Sequence, residues 1–234
     1  MSDQTSALLD RLTSVLDVFD LSFLISGGSG VAAILCSMHA AGYLDGMDSQ
    51  PVWLLAIGLL LVTYVLGLLC FTVGRSLRMS GWFVYRPESM ESHLLGELQN
   101  FGVTLEGVAP ELVVPDIAKT RRDGSEPLYN LCWARIRHSE SSAASLRLLT
   151  RYWVLAATCD GIAASLLIWY ASLFYLVMNA PNVSPVLQIG LGIIGLLATR
   201  KLIALLFRES IRCKINQIRE IASTMAILQA VEKR

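Results

Sequence analysis

Charged residues are scarce in this chain of 234 residues. They make up 16% of the sequence, whereas a soluble domain usually carries about 25%. Neither sign dominates, since 19 Lys and Arg residues balance 19 Asp and Glu residues, so no excess of positive charge points to direct nucleic-acid binding. Hydrophobic residues instead reach 54%. This composition excludes a disordered tail, a collagen-like fibre and a coiled-coil rod, and it argues against an ordinary water-soluble enzyme.

The sequence also lacks motifs of catalysis and of metal binding. It contains no H-E-x-x-H, no G-x-S-x-G and no Walker motif. The five cysteines form no C-x-x-C pair, so neither a zinc site nor a disulfide framework is expected. We therefore predict a protein that is not an enzyme, with no catalytic residue, no metal and no cofactor.

Four long apolar runs are the main positive feature of the sequence. A bilayer core about 30 Å thick needs roughly 20 apolar residues in a helix, and four stretches reach that length: residues 23–44, 52–74, 152–178 and 186–207. We predict an all-α integral membrane protein with two transmembrane hairpins, 23–74 and 152–207. A small, mostly helical cytoplasmic domain and amphipathic terminal helices complete the predicted fold.

The distribution of basic residues predicts the orientation of these spans. The two short connections, 45–50 and 179–185, contain no Lys or Arg, whereas residues 75–151 contain ten and the tail from Arg200 contains eight. Positive residues stay on the cytoplasmic side of a membrane. We therefore predict a multi-pass protein of the cytoplasmic (inner) membrane, with both termini and residues 75–151 in the cytoplasm.

The segments outside the spans read mainly as helices. Residues 1–22 carry an apolar stripe at helical spacing, with aspartates on the opposite face. Within the domain at 75–151 we expect helices over 87–99 and 128–137, a short hairpin within 103–117, and a further helix that runs from about residue 143 into the third span.

The tail at 208–234 carries a heptad seam. This seam either packs on the same chain's cytoplasmic domain or joins subunits around a symmetry axis. As an oligomerisation seam it comprises Ile211, Ile215, Ile218, Ala222 and Met225.

Asp160 stands out because it lies inside the third span. A charge there costs several kcal/mol and needs a partner at similar depth. Because a tight hairpin joins spans three and four, we expect Arg200 or Lys201 to reach Asp160. Three interpretations stay open for these residues. They form a structural ion pair, or they are intramembrane charges that act in gating, in proton coupling or in a pore, or the fourth span is short and tilted and leaves Arg200 and Lys201 at the lipid headgroups.

The first span carries small residues and one histidine. Small residues let helices approach closely in lipid, so this stripe either packs against another helix or forms a hinge or water path. The predicted packing or hinge residues are Ser26, Gly27, Gly28, Gly30, Ala33 and Ser37. His39, near the outer side, is either a hydrogen-bonded interface residue or a pH-sensitive group.

These features predict a homo-oligomer embedded in the lipid bilayer that acts as a channel-like effector or as a sensor or scaffold. The scaffold would tether a soluble cytoplasmic protein, for example in a bacterial defence-type system. The alternative is a small secondary transporter that uses Asp160 as its coupling carboxylate, although such folds usually show internal repeats.

Overall fold

The computed structural model describes residues 18–43, 52–83, 90–104, 127–139, 142–180 and 183–232. Within these ranges the chain is helical and contains no strand. The helices are α1 (Val18–Ala40), α2 (Val52–Met79), α3 (Met90–Asn100), α4 (Pro127–His138), α5 (Ala143–Met178) and α6 (Pro185–Glu232). The described chain is therefore all-helical, as the sequence predicts.

Four of these helices are long and apolar enough to cross a membrane, which confirms the number of apolar spans. They are α1, α2, α5 and α6. In the most apolar windows of α2 and α6, 11% of the residues are buried inside the protein. The apolar side chains of these two helices mostly face outwards, as they do where the solvent is lipid.

Helix boundaries differ from the predicted spans: α1 ends earlier than predicted, and α2 ends later. α1 ends at Ala40 because Gly42 adopts a φ of 75°, and the Tyr43 amide then donates to the Met38 carbonyl. This is a Schellman ending, which a glycine favours. α2 continues to Met79, beyond the predicted limit at residue 74. α5 begins at Ala143, which confirms the helix expected to run into the third span.

The described residues divide into two compact units. Unit 1 comprises those within Met1–Tyr85 and Val154–Ser210, and unit 2 comprises those within Arg86–Trp153 and Ile211–Arg234. Both α5 and α6 are continuous helices that contribute residues to each unit. The last turns of α6 therefore belong to unit 2, together with the whole of α3 and α4.

Unit 2 has a core of large aliphatic side chains. One half of this core comes from α3, α4 and the first turns of α5, and the other half comes from the end of α6. Its fully buried members include Leu94, Leu98, Leu128, Ile136, Leu149, Ile218, Ile221 and Met225. The helices predicted over 87–99 and 128–137 are present as α3 and α4.

A buried carboxylate joins α3 to α4. Glu91 Oε1 accepts the backbone amides of Leu128 at 3.0 Å and of Tyr129 at 3.3 Å. These amides belong to the first turn of α4, where they have no carbonyl partner within the helix and where the helix dipole favours a negative charge. Glu91 thus caps a helix that begins 36 residues later in the sequence.

Two predictions fall on residues outside those described. Of the amphipathic helix expected over 1–22, the structure describes residues 18–22, which are helical. Of the hairpin expected within 103–117, it describes Val103 and Thr104.

Candidate functional site: a buried ion pair in unit 1

The clearest candidate site is an ion pair between α2 and α5. Arg78 Nε lies 2.9 Å from Asp160 Oδ1 and 3.2 Å from Asp160 Oδ2. Both side chains are 2% exposed. Asp160, singled out from the sequence, is therefore buried and paired, but its partner comes from the second apolar helix.

The expected pairing of Asp160 with Arg200 or Lys201 is wrong. Arg200 and Lys201 lie on the exposed surface of α6, and neither makes an ion pair with Asp160. The error follows from the predicted end of the second span at residue 74. Because α2 continues for five more residues, Arg78 is still helical and can approach α5.

A close helix crossing explains why the pair is buried. A Cβ atom at Gly74 would overlap the backbone carbonyl oxygen of Asp160, and one at Gly161 would lie 2.6 Å from Ser26 Cβ. Glycine at positions 74 and 161 therefore lets α2 and α1 approach the backbone of α5. Close approach at small residues is the usual way for helices to pack in lipid.

The guanidinium group of Arg78 keeps spare hydrogen-bonding capacity. Its Nη1 lies 3.9 Å from the sulfur of Met79, and its buried Nη2 has no hydrogen-bond partner among the described residues. A buried pair of this kind loses the hydration of both charges. Removing one partner would leave the other charge uncompensated, which typically costs about 3–5 kcal/mol.

The small residues of α1 lie at a second close crossing. A Cβ atom at Gly27 would overlap the Thr63 carbonyl oxygen, and one at Gly67 would overlap that of Phe23. Ser26 is buried and donates to the Ser22 carbonyl at 3.0 Å. The glycine run at 27–30 is part of the continuous helix α1, and Gly27 and Gly30 pack against neighbouring helices, which agrees with the packing interpretation.

The remaining predicted residues of α1 vary in environment. Gly28 is half-buried, with Thr63 Cγ2 at 3.8 Å from an added Cβ, and Gly30 is buried against Leu66 and Ile168. Ala33 is completely buried, and Ser37 donates to its carbonyl at 3.0 Å. His39 is exposed in the last turn of α1, far along the helix from Ser26.

Polar contacts that the sequence analysis missed also tie α1 to its neighbours. Trp169 Nε1 donates to Ser29 Oγ at 3.2 Å, and Ser165 Oγ, which donates to the Ile162 carbonyl at 2.9 Å, lies 3.3 Å from Ser29 Oγ. Tyr64 donates its hydroxyl to Asp20 at 2.9 Å. A signal was present for each of these, since a polar side chain in an apolar run needs a partner, but the partners lie 44 to 140 residues apart.

The tail seam lies largely inside unit 2. Ile218, Ala222 and Met225 are at most 2% exposed and belong to the core, whereas Ile211 and Ile215 are half-buried. For the three buried residues, packing within the same chain describes the structure, so they are not available as a seam between subunits. Ile221 and Leu228 widen the buried stripe beyond strict heptad spacing.

No metal-binding cluster occurs in the described ranges, where no three His, Cys, Asp or Glu side chains come together. The cysteines of these ranges are free thiols. Cys132 is buried in unit 2, and this burial, with a contribution from the nearby Glu91 carboxylate, raises its pKa to about 12. The Cys132 thiol is therefore a core group and a poor nucleophile at neutral pH.

The described residues thus define an all-helical chain with four helices long and apolar enough to cross a membrane, and with a buried ion pair between two of them. No protein-family model matches the chain, and neither curated proteins nor solved structures provide a significant match.

Proposed function

We propose that this chain is a multi-pass membrane protein that acts as a sensor or scaffold and presents unit 2 to a soluble partner in the cytoplasm. The observation that carries the proposal is that α5 and α6 each combine a membrane-length apolar segment with residues of the unit 2 core. In this proposal the same two helices provide the membrane anchor and part of the unit 2 core. We expect the protein to form a homo-oligomer, which the native mass of the detergent-extracted protein would measure.

The distribution of polar groups in unit 1 supports a scaffold better than a pore. Ser22, Ser26, Asp160, Ser165 and Ser210 are all buried between helices. The grooves found on unit 1 have apolar linings, one between α1 and α2 and one between α5 and α6. A pore needs polar groups along a water-filled path, and the described part of one chain offers apolar grooves instead.

In the proposed mechanism, the Arg78–Asp160 pair holds α2 against α5 in one arrangement. A binding event at unit 2, or a change in the membrane, would alter the relative stability of that arrangement and of a second one. Because α5 is one continuous helix with residues in both units, a movement of α5 would affect both of them.

A small transporter is the second candidate, favoured by the buried Asp160 carboxylate and the spare Nη2 donor of Arg78. In that case the pair would open during each cycle and Asp160 would take up an ion or a proton. Ionisable residues inside a bilayer often mark such pathways.

Two measurements test the proposal. The first is labelling of intact cells with a membrane-impermeant maleimide, using variants with a single cysteine. Asn179→Cys should be labelled from outside, whereas Asn130→Cys should be labelled only after the membrane is permeabilised. Both positions are exposed in the structure. The opposite pattern, or labelling of both, would overturn the proposed topology.

The second measurement is ion and proton flux in liposomes that contain the purified chain, its Asp160→Asn variant, or an Arg219→Gln control that alters an exposed residue of unit 2. A scaffold should give no flux above empty liposomes in all three samples. Proton-dependent flux that Asp160→Asn abolishes would replace the proposal by the transporter. Steady conductance in the native chain and the control would replace it by a channel.

A further inference from the structure

We propose that α6 carries a binding site for the headgroup of an anionic phospholipid, formed by Lys201 and Arg208 with Arg200 beside them. The inference rests on the proposed function in one respect, namely that α6 crosses a membrane. It adds a specific lipid chemistry and the residues that recognise it.

The two main cations share one face of α6. Positions 201 and 208 differ by seven residues, so their side chains lie two helical turns apart on the same face, with about 10 Å between the positions. Leu205 lies between them on that face and is 51% exposed. Towards the start of the helix the same face continues as Leu197 and Ile194, which are also exposed. The exposed face thus changes along the helix from purely apolar to basic.

The position of this change matches a bilayer boundary. With a rise of 1.5 Å per residue, Lys201 lies about 24 Å and Arg208 about 35 Å from Pro185 at the start of the helix. A hydrocarbon core about 30 Å thick would end between them. The flexible side chain of Lys201 can extend along the apolar surface towards that boundary. Both cations would then meet the layer that contains lipid phosphates.

These cations have no partner within the described part of the chain. Arg200, Lys201 and Arg208 are exposed. None of their side chains makes a hydrogen bond or an ion pair with another described residue. Of the carboxylates described in unit 1, Asp160 binds Arg78 and Asp20 accepts a hydrogen bond from Tyr64. Glu209 is the remaining one, and it has interactions of its own.

This charge balance favours a lipid over a second copy of the chain. From the described part of its unit 1, a second copy of the chain would offer the three exposed cations of α6 one exposed carboxylate, that of Glu209. An anionic phospholipid supplies a phosphate at the depth of the site and an acyl chain for the neighbouring leucines. Each Lys or Arg near an anionic membrane surface contributes measurably to such binding.

Native mass spectrometry of the full chain tests the inference. The protein would be equilibrated with equal amounts of phosphatidylglycerol and phosphatidylethanolamine, and the retained lipids counted. We expect the native chain to retain phosphatidylglycerol preferentially. Lys201→Gln combined with Arg208→Gln should weaken that preference by about tenfold or more.

Two matched variants make the result specific. The Arg137→Gln/Arg219→Gln chain loses the same charge from exposed positions of unit 2 and should keep the native preference. The Lys201→Arg/Arg208→Lys chain keeps the charge and should keep the preference as well. Native-like retention in the doubly neutralised chain, or an equal loss in the unit 2 control, would overturn the inference.

The proposed function can fail separately from this site. Resistance of the chain to extraction from membranes by alkaline carbonate, combined with unchanged lipid retention in all variants, would reject the lipid site and leave the membrane placement standing. Release of the native chain by carbonate would reject both.

Discussion

The two units of this chain differ in how their helices approach one another. In unit 1 the helices α1, α2 and α5 come closest at glycines, next to backbone atoms at Gly27, Gly67 and Gly74, and α6 adds large buried side chains at Ile203 and Phe207. In unit 2 the helices meet through fully buried leucines, isoleucines and a methionine. The difference agrees with the proposed placement of unit 1 in a membrane, because burial of large apolar side chains stabilises a domain in water, whereas in lipid the same burial gains little and close packing takes its place.

The contrast extends to charge. The ion pair of unit 1, Arg78–Asp160, is almost fully buried. The ion pair between Arg219 and Glu97 in unit 2 measures 3.2 Å, and its arginine side chain is 61% exposed. Under the proposed membrane placement, a charge in unit 1 must be paired inside the protein because polar partners are scarce in lipid, whereas a charge in water need not be paired.

The largest expected effect comes from adding a side chain at a crossing of unit 1. Gly74→Leu would force α2 away from the Asp160 carbonyl and should lower the free energy of unfolding by more than about 4 kcal/mol. Gly58→Leu is the matched control on the same helix, because a Cβ there meets nothing within 4 Å. Thermal unfolding in detergent measures both, and equal losses would contradict the importance of the crossing.

Loss of the buried ion pair in unit 1 should destabilise the protein more than loss of the exposed ion pair in unit 2. Arg78→Gln leaves the Asp160 carboxylate buried without a charged partner and should cost about 3–5 kcal/mol. Arg219→Gln removes an exposed pair and should cost at most about 1 kcal/mol. The free energies of unfolding of the two variants should be measured under identical conditions. A larger loss in Arg219→Gln would contradict the comparison.

Truncation of a large side chain should be harmful in unit 2. Leu128 is completely buried in α4, so Leu128→Ala should lower the free energy of unfolding by about 2–5 kcal/mol. Leu131 belongs to the same helix and is 38% exposed, so Leu131→Ala should cost clearly less. Hydrogen exchange of the α4 amides would locate the effect, and equal protection in both variants would argue against the described core.

The smallest effect at neutral pH concerns the Cys132 thiol. Burial raises the pKa of this group from its ordinary value of 9.0 to about 12, so the folded state prefers the neutral thiol. This preference contributes full stability below pH 9.0 and is lost as the pH rises from 9.0 to about 12. Because thiolates are the reactive form, Cys132 should resist maleimide at pH 8 until unit 2 unfolds.

A chain that keeps Cys132 as its single cysteine makes this measurement possible. The control keeps no native cysteine and carries Asn130→Cys, an exposed position on the same helix. It should react at once in the folded protein. Rapid labelling of Cys132 in the folded chain would show that α4 is more open than described.

The apolar helices could be predicted from the sequence because their signal is local. Length and hydropathy alone identify α1, α2, α5 and α6, and the isolated charge of Asp160 identifies it as a residue that needs a partner. The buried stripe of the tail was also visible from its spacing. Whether that stripe contacts the same chain or another subunit could not be predicted, since the same pattern is expected in both cases.

The ion-pair partner could not be predicted, because it depends on a helix crossing. Arg78 and Asp160 are 82 residues apart, and their approach depends on Gly74 of α2, where an added Cβ would overlap the backbone carbonyl oxygen of Asp160. The same limit applies to Glu91, whose role as the cap of α4 depends on how α3 and α4 pack. Single-sequence periodicity reports which face of a helix is apolar and contains no information on which helices meet.

The composition of the unit 2 core has a consequence for biosynthesis. Its first half is made early, with Leu94 and Leu98, and its second half late, with Ile221 and Leu228. At translation rates of 5–20 residues per second, the ribosome needs on the order of ten seconds to proceed from Leu149 to Leu228. During this interval the nascent α3 and α4 present leucines without their final neighbours. Transiently exposed apolar surface of this kind favours aggregation, so the half-built domain would be a substrate for chaperones until the last turns of α6 emerge.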